Sequence, residues 1–161
     1  MVRPIQGPPS NTRANITSIL SDMGAPPIAR DYANALFTLA PITALDPVVM
    51  LGQAHLETGG FTSPYCLNDG NFAGIGIWKS GVPSPFSVHD GATAAQIHSA
   101  VMLLRVHPGF DLTKLTKLPG VKGLGDYVAK VIALWNTPDA PKVRTTGETS
   151  PSGRKRPSLA K

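Results

Sequence analysis

The chain has 161 residues, of which 42% are apolar and only 16% charged. That suffices for one domain with a real core, and it excludes long disorder or a charged coiled coil over the whole length. The net charge of +5 divides unevenly: residues 1–141 hold nine Lys or Arg against nine Asp or Glu, whereas residues 142–161 hold six basic residues against one acid, Glu148. The body is formally neutral, so the basic average describes a tail and is poor evidence for a nucleic-acid-binding face.

In chain order, residues 1–14 are polar and interrupted by Pro and Gly, which predicts an extended arm with little structure of its own. A short helix is expected over 15–23. From Pro27 the spacing of Ile28, Tyr32, Ala35, Leu36 and Leu39 predicts a core helix that ends before Pro41. Asp46 before Pro47 supplies an N-cap acceptor and a first-turn proline, and Gly59 and Gly60 supply the stop, so a helix is expected over 47–58. No helical period runs through 61–85, and Gly74-Ile75-Gly76-Ile77-Trp78 alternates in the manner of a short strand or hairpin. Asp90 is expected to cap a helix over 92–106, with Ile97, Val101 and Leu104 on one face. The last predicted helix covers 125–135, with Val128, Val131, Ile132 and Trp135 as its stripe. The segment 138–161, rich in Pro, Ser and Thr, reads as a solvated basic tail.

Cys66 is the only cysteine, which excludes an intramolecular disulfide and any multi-cysteine metal site. His55-Leu56-Glu57 has the His-x-Glu spacing of zinc deaminases, but those need two further cysteines. His89, His98 and His107 recur at nine-residue intervals that give no shared metal-binding face, and each reads as a surface or core histidine. No apolar run is long enough to span a membrane, and residues 1–13 hold no hydrophobic segment that a secretory pathway would read. Membrane insertion is therefore not expected.

Glu57 is the one glutamate of the body, and its place is unusual. The last turn of a helix exposes carbonyls and the negative end of the macrodipole, which disfavours a carboxylate by roughly 0.3–1 kcal/mol. Neighbouring Leu56, Phe61 and Phe72 would push the same way, because burial favours the neutral acid. A carboxyl that keeps its proton near neutral pH is what a general acid needs to protonate a glycosidic oxygen. The same position also suits a solvated glutamate at a fraying helix end.

The segment from Asp46 to Gly60, containing Gln53, Leu56, Glu57, Thr58 and Gly59, followed by Asn71, Ala73, Gly74 and Ile75, resembles the glucosaminidase family of peptidoglycan hydrolases. That family belongs to the lysozyme-like superfamily and occurs in bacterial autolysins, flagellar muramidases and phage lysins. Asp126-Tyr127-Val128-Ala129-Lys130-Val131 is similar to the family's closing segment, without its proline. The resemblance covers about residues 27–136. It implies a mainly α, lysozyme-like helical domain over 15–137 with a short β-hairpin element, flanked by extended arms. It further implies that Glu57 is the catalytic acid and Tyr127 an active-site tyrosine, with no cofactor. Gln53 would bond the carboxyl or the sugar, and Asn71 with the backbone of Gly74 and Ile75 would hold an N-acetyl group. Phe72 and Trp78 would stack on sugar rings. Each of these has a plainer alternative: a turn residue for Asn71, core packing for Phe72, Trp78 and Tyr127.

One departure matters. The family carries a further acid in a longer β-lobe, and none stands between Ile75 and Phe86 here. Asp69, in an Asn-Asp-Gly turn, and Asp90, an N-cap, are the remaining candidates. The expectation is thus a hydrolase of the β-1,4 glycan backbone of peptidoglycan, of N-acetylglucosaminidase type, carried in a phage virion or held in host cytoplasm before release to the wall. A muramidase or lytic transglycosylase, or a non-enzymatic virion or wall-binding protein on the same fold, are the alternatives. The basic tail would bind an anionic wall polymer, nucleic acid within a particle, or virion proteins.

Overall fold

The computed structural model describes residues 4–77, 83–84 and 87–117. Trp78, Phe86, the helix predicted over 125–135 with Tyr127, and the basic tail lie outside the described residues. The architecture is mainly α: α1 (Arg13–Asp22), α2 (Pro27–Thr43), α3 (Pro47–Glu57), α4 (Pro64–Asp69) and α5 (Gly91–Val106), followed by a 3-10 segment, Leu112–Lys117.

Helix α1 begins where the Thr12 side chain accepts the Asn15 amide at 3.1 Å, and it buries Ile16 and Leu20 towards the core. Burying each of these side chains contributes roughly 1.5–3 kcal/mol. Helix α2 starts with Pro27 at its first position and packs most extensively on α5, touching α1, α3 and the 3-10 segment as well. It does not end before Pro41, as its sequence predicts, but continues to Thr43. Pro41 faces solvent, while Leu39, Ala40 and Thr43 are buried, so inward packing holds the last turn despite the missing amide. Ala44 closes it in the left-handed region (φ 55°), with its amide donating to the Ala40 carbonyl.

The upstream segment is extended but not a loose arm. Ile5 is 2% exposed and belongs to the core. Gln6 pairs with Leu45 in an antiparallel bridge, the Gly7 amide donates to Ala44 O at 2.9 Å, and the Asp46 amide donates to Ile5 O at 2.8 Å. Asp46 also caps α3, accepting the Val48 amide at 2.9 Å and the Ser10 amide at 3.2 Å.

Helix α5 is the centre of the fold: from Gly91 to Leu103 every residue except Ala92 is buried. Its N-cap is as expected, Asp90 accepting the Thr93 amide and hydroxyl, both at 2.7 Å. Two further readings need correction. The stretch expected to lack a helix contains α4, capped by Ser63 and ended by Gly70 at φ 63°. The alternation at 74–77 is a turn and not a strand, with the Ile77 amide donating to Gly74 O at 3.2 Å and both glycines at positive φ. Gln6 and Leu45 form an isolated antiparallel bridge, and no strand is present among the described residues.

Candidate active site

The site is built around the end of α3. Gln53 and Glu57 stand one helical turn apart and are 4% and 5% exposed. Glu57 is thus buried and is not a solvated side chain at a frayed end. The helix stops through Thr58, fully buried, whose hydroxyl donates to Ala54 O at 2.7 Å and accepts the Phe61 amide at 2.9 Å. Gly59, Gly60 and Phe61 then follow in the left-handed region, at φ 60°, 76° and 65°. For the two glycines this conformation is free of strain, but for a bulky residue such as Phe61 it costs on the order of 1–3 kcal/mol and persists only where its surroundings impose it. Those surroundings are a ring 2% exposed that meets the His55 ring edge-on, with centroids 5.2 Å apart.

From this turn the chain is led into the second motif. The amides of Thr62 and Ser63 both donate to Thr58 O, Ser63 caps α4, and the Asn71 amide donates to Tyr65 O at 2.8 Å. Gly70 is needed where α4 ends, since a β-carbon there would stand 2.7 Å from the carbonyl oxygen of Val88. Asn71, wholly buried, then bonds reciprocally with the backbone of Ile75: its Oδ1 accepts the Ile75 amide and its Nδ2 donates to the Ile75 carbonyl, each at 3.0 Å. This clamp fixes a five-residue loop containing Gly74 at φ 64°.

The two motifs meet through aromatic rings: Phe61 and Phe72 contact at 6.1 Å between centroids, inclined by 62°. Phe72 also lies flat on Tyr32, at 4.0 Å and 4°. Phe72 is therefore a core ring, 2% exposed, and not a platform for sugar. The Asn71 side chain acts on its own loop, and Gly74 and Ile75 shape that loop from buried positions. Trp78 and Tyr127 fall outside the described residues. Asp90 has both carboxylate oxygens engaged by Thr93, and Asp69 ends α4 with its carbonyl accepting the Val88 amide.

Sequence reasoning missed the polar pair beneath Phe72. The Tyr32 hydroxyl and His98 Nδ1 lie 2.5 Å apart, joining α2 to α5 with both side chains buried. Burial lowers the His98 pKa to about 3 and pushes the Tyr32 hydroxyl upwards, with the Cys66 thiol adding to the latter. Burial likewise pushes Cys66 up to about 12. The signal available was slight, a tyrosine and a histidine each on an apolar helical stripe. Among the described residues no cluster of three or more His, Cys, Asp or Glu could hold a metal ion, and no helix is long and apolar enough to cross a membrane. An open depression of about 320 Å³ lies between α1 and α2, lined by Thr17, Leu20, Pro27, Arg30, Asp31 and Asn34, none of them in either motif. No protein-family model, curated protein or solved structure matches the chain.

Proposed function

We propose that this protein cleaves the β-1,4 glycosidic backbone of peptidoglycan on a lysozyme-like helical domain, with Glu57 as the general acid. One observation carries the reading. The segment ending at Gly60 and the segment Asn71–Ile75, which together resemble the glucosaminidase pattern, are brought into contact through Phe61, next after Gly60, and Phe72. Glu57 is buried in the last turn of α3, one helical turn from buried Gln53, and this supports a role other than that of a solvated surface carboxylate. In the reaction the Glu57 proton passes to the glycosidic oxygen as the bond from that oxygen to the anomeric carbon breaks; water then adds to the oxocarbenium-like carbon and gives its proton to the Glu57 carboxylate.

A single-carboxyl route is the second reading, and a specific observation favours it. Thr93 engages both oxygens of Asp90, so this acid serves as the N-cap of α5. The substrate acetamido group, or an internal sugar hydroxyl as in a lytic transglycosylase, would then capture the anomeric carbon.

Mass spectrometry of purified peptidoglycan digested by the protein tests both readings. A reducing-end GlcNAc is the expected product, an anhydro-sugar end would select the transglycosylase route, and a reducing-end MurNAc would make the enzyme a muramidase. Glu57→Gln keeps the shape but has no acidic proton to transfer, and it should lower glycan release by at least about a hundredfold. Release within threefold of the parent would remove Glu57 from the role.

A further inference from the structure

Five rings form one connected train from the core out to the exposed His55. His98 of α5 neighbours Tyr32 of α2 at 6.1 Å, Tyr32 stacks on Phe72 at 4.0 Å, Phe72 meets Phe61 at 6.1 Å, and Phe61 meets His55 of α3 at 5.2 Å. The train enters the end of α3 on both sides of Glu57, through His55 before it and Phe61 after it. Phe61 is the informative member. Its backbone lies at φ 65°, where glycine is the unstrained choice and where the two preceding residues are glycines. A phenylalanine kept at such a position indicates that its ring contacts outweigh the backbone strain.

We infer that Phe61 and Phe72 are positioning residues: their edge contact sets the turn after Glu57 against the Asn71–Ile75 clamp, so that acid and loop keep one relative placement. The link to catalysis rests on the function proposed above, whereas the coupling of turn to clamp does not. Neither ring needs to touch substrate for this, in keeping with their burial.

The Ile75 amide, which donates to Asn71 Oδ1, reports the coupling without any activity assay. In the full chain, Phe61→Leu should speed hydrogen exchange at Ile75 by about two- to tenfold, the range that one aromatic pair supplies. Phe72→Leu, which also loses the Tyr32 stack, should do at least as much, and the double variant should fall short of the sum of the two, because each single variant already removes their shared contact. On peptidoglycan, each variant should lower kcat over the same range with KM unchanged. Phe61→Gly removes the ring while relieving the backbone, and it guards against a leucine variant that fails to fold. Unchanged exchange at Ile75 in the Phe61 variants would overturn the coupling. Faster exchange with unchanged kcat would overturn the positioning role. If the parent releases no glycan fragments, or Glu57→Gln releases them undiminished, it is the proposed function that fails, and the Ile75 amide still decides the coupling.

Discussion

Gly91 stands so close to α2 that a β-carbon on it would lie 2.3 Å from the backbone nitrogen of Tyr32 and 2.5 Å from the Ile28 carbonyl oxygen. Backbone atoms cannot swing aside as a side chain can. Replacing an ordinary helical glycine by alanine gains up to about 1 kcal/mol, but here the overpacking should reverse the sign. Gly91→Ala is expected to destabilise the fold by about 2 kcal/mol or more. Gly109, with nothing within 4 Å of its β position, is the control, and Gly109→Ala should be close to neutral. Urea denaturation of the two variants checks the contrast, and equal midpoints would mean that α5 can lift from α2 at little cost.

His98 gives the protein an acid-sensitive core. It is buried and neutral when folded, with a pKa lowered from 6.5 to about 3, but when unfolded it takes up a proton near its ordinary value. The unfolded chain therefore binds more protons below pH 6.5, so this contribution is complete above pH 6.5 and is lost as pH falls towards about 3. The slope approaches about 1.4 kcal/mol per pH unit. His55, His89 and His107 are exposed. His98→Gln retains an acceptor for the Tyr32 hydroxyl and should flatten stability between pH 6.5 and 5, whatever its effect at neutrality. Urea unfolding at several pH values provides the measurement; parallel curves for parent and variant would contradict a neutral buried imidazole.

The Asn71 clamp distinguishes donor from acceptor. Asn71→Asp keeps the oxygen that accepts the Ile75 amide but sets a second oxygen against the Ile75 carbonyl, in a fully buried place. A loss of about 2–3 kcal/mol is expected at neutral pH. Acidification should return part of it relative to the parent at the same pH, because a protonated aspartic acid can donate again. Calorimetric melting of both proteins at pH 7 and pH 4 tests this, and a variant that melts level with the parent at pH 7 would show that the amide donor is dispensable.

Caps were the most legible part of the chain. Asp46 before Pro47 and Asp90 before Gly91 announced α3 and α5 because a short acceptor side chain at a helix start answers a local need. Pro41 misled because its cost depends on which way the ring faces, a property of tertiary packing. Helix α4, with six residues, is too short for periodicity to register, and only Ser63, Pro64 and Gly70 marked it. The Gly-Ile alternation at 74–77 imitates a strand in composition, yet its glycines serve a left-handed turn. At the candidate site, the position of Glu57 drew notice through its charge at the wrong helix end. The exchange of roles between Phe72 and the core could not be read, since a stacking partner 40 residues upstream, Tyr32, leaves no local trace.

The tie between the upstream segment and α3 also sets a path for force. Ser10 is 36 residues from Asp46 in sequence, yet tension applied at residue 4 would cross directly, through the Ile5–Asp46 and Gly7–Ala44 bonds, into the junction between α2 and α3. Helix α1 lies within the loop so closed and is bypassed. Whatever pulls on that segment therefore pulls first on the junction from which the helix ending in Glu57 begins.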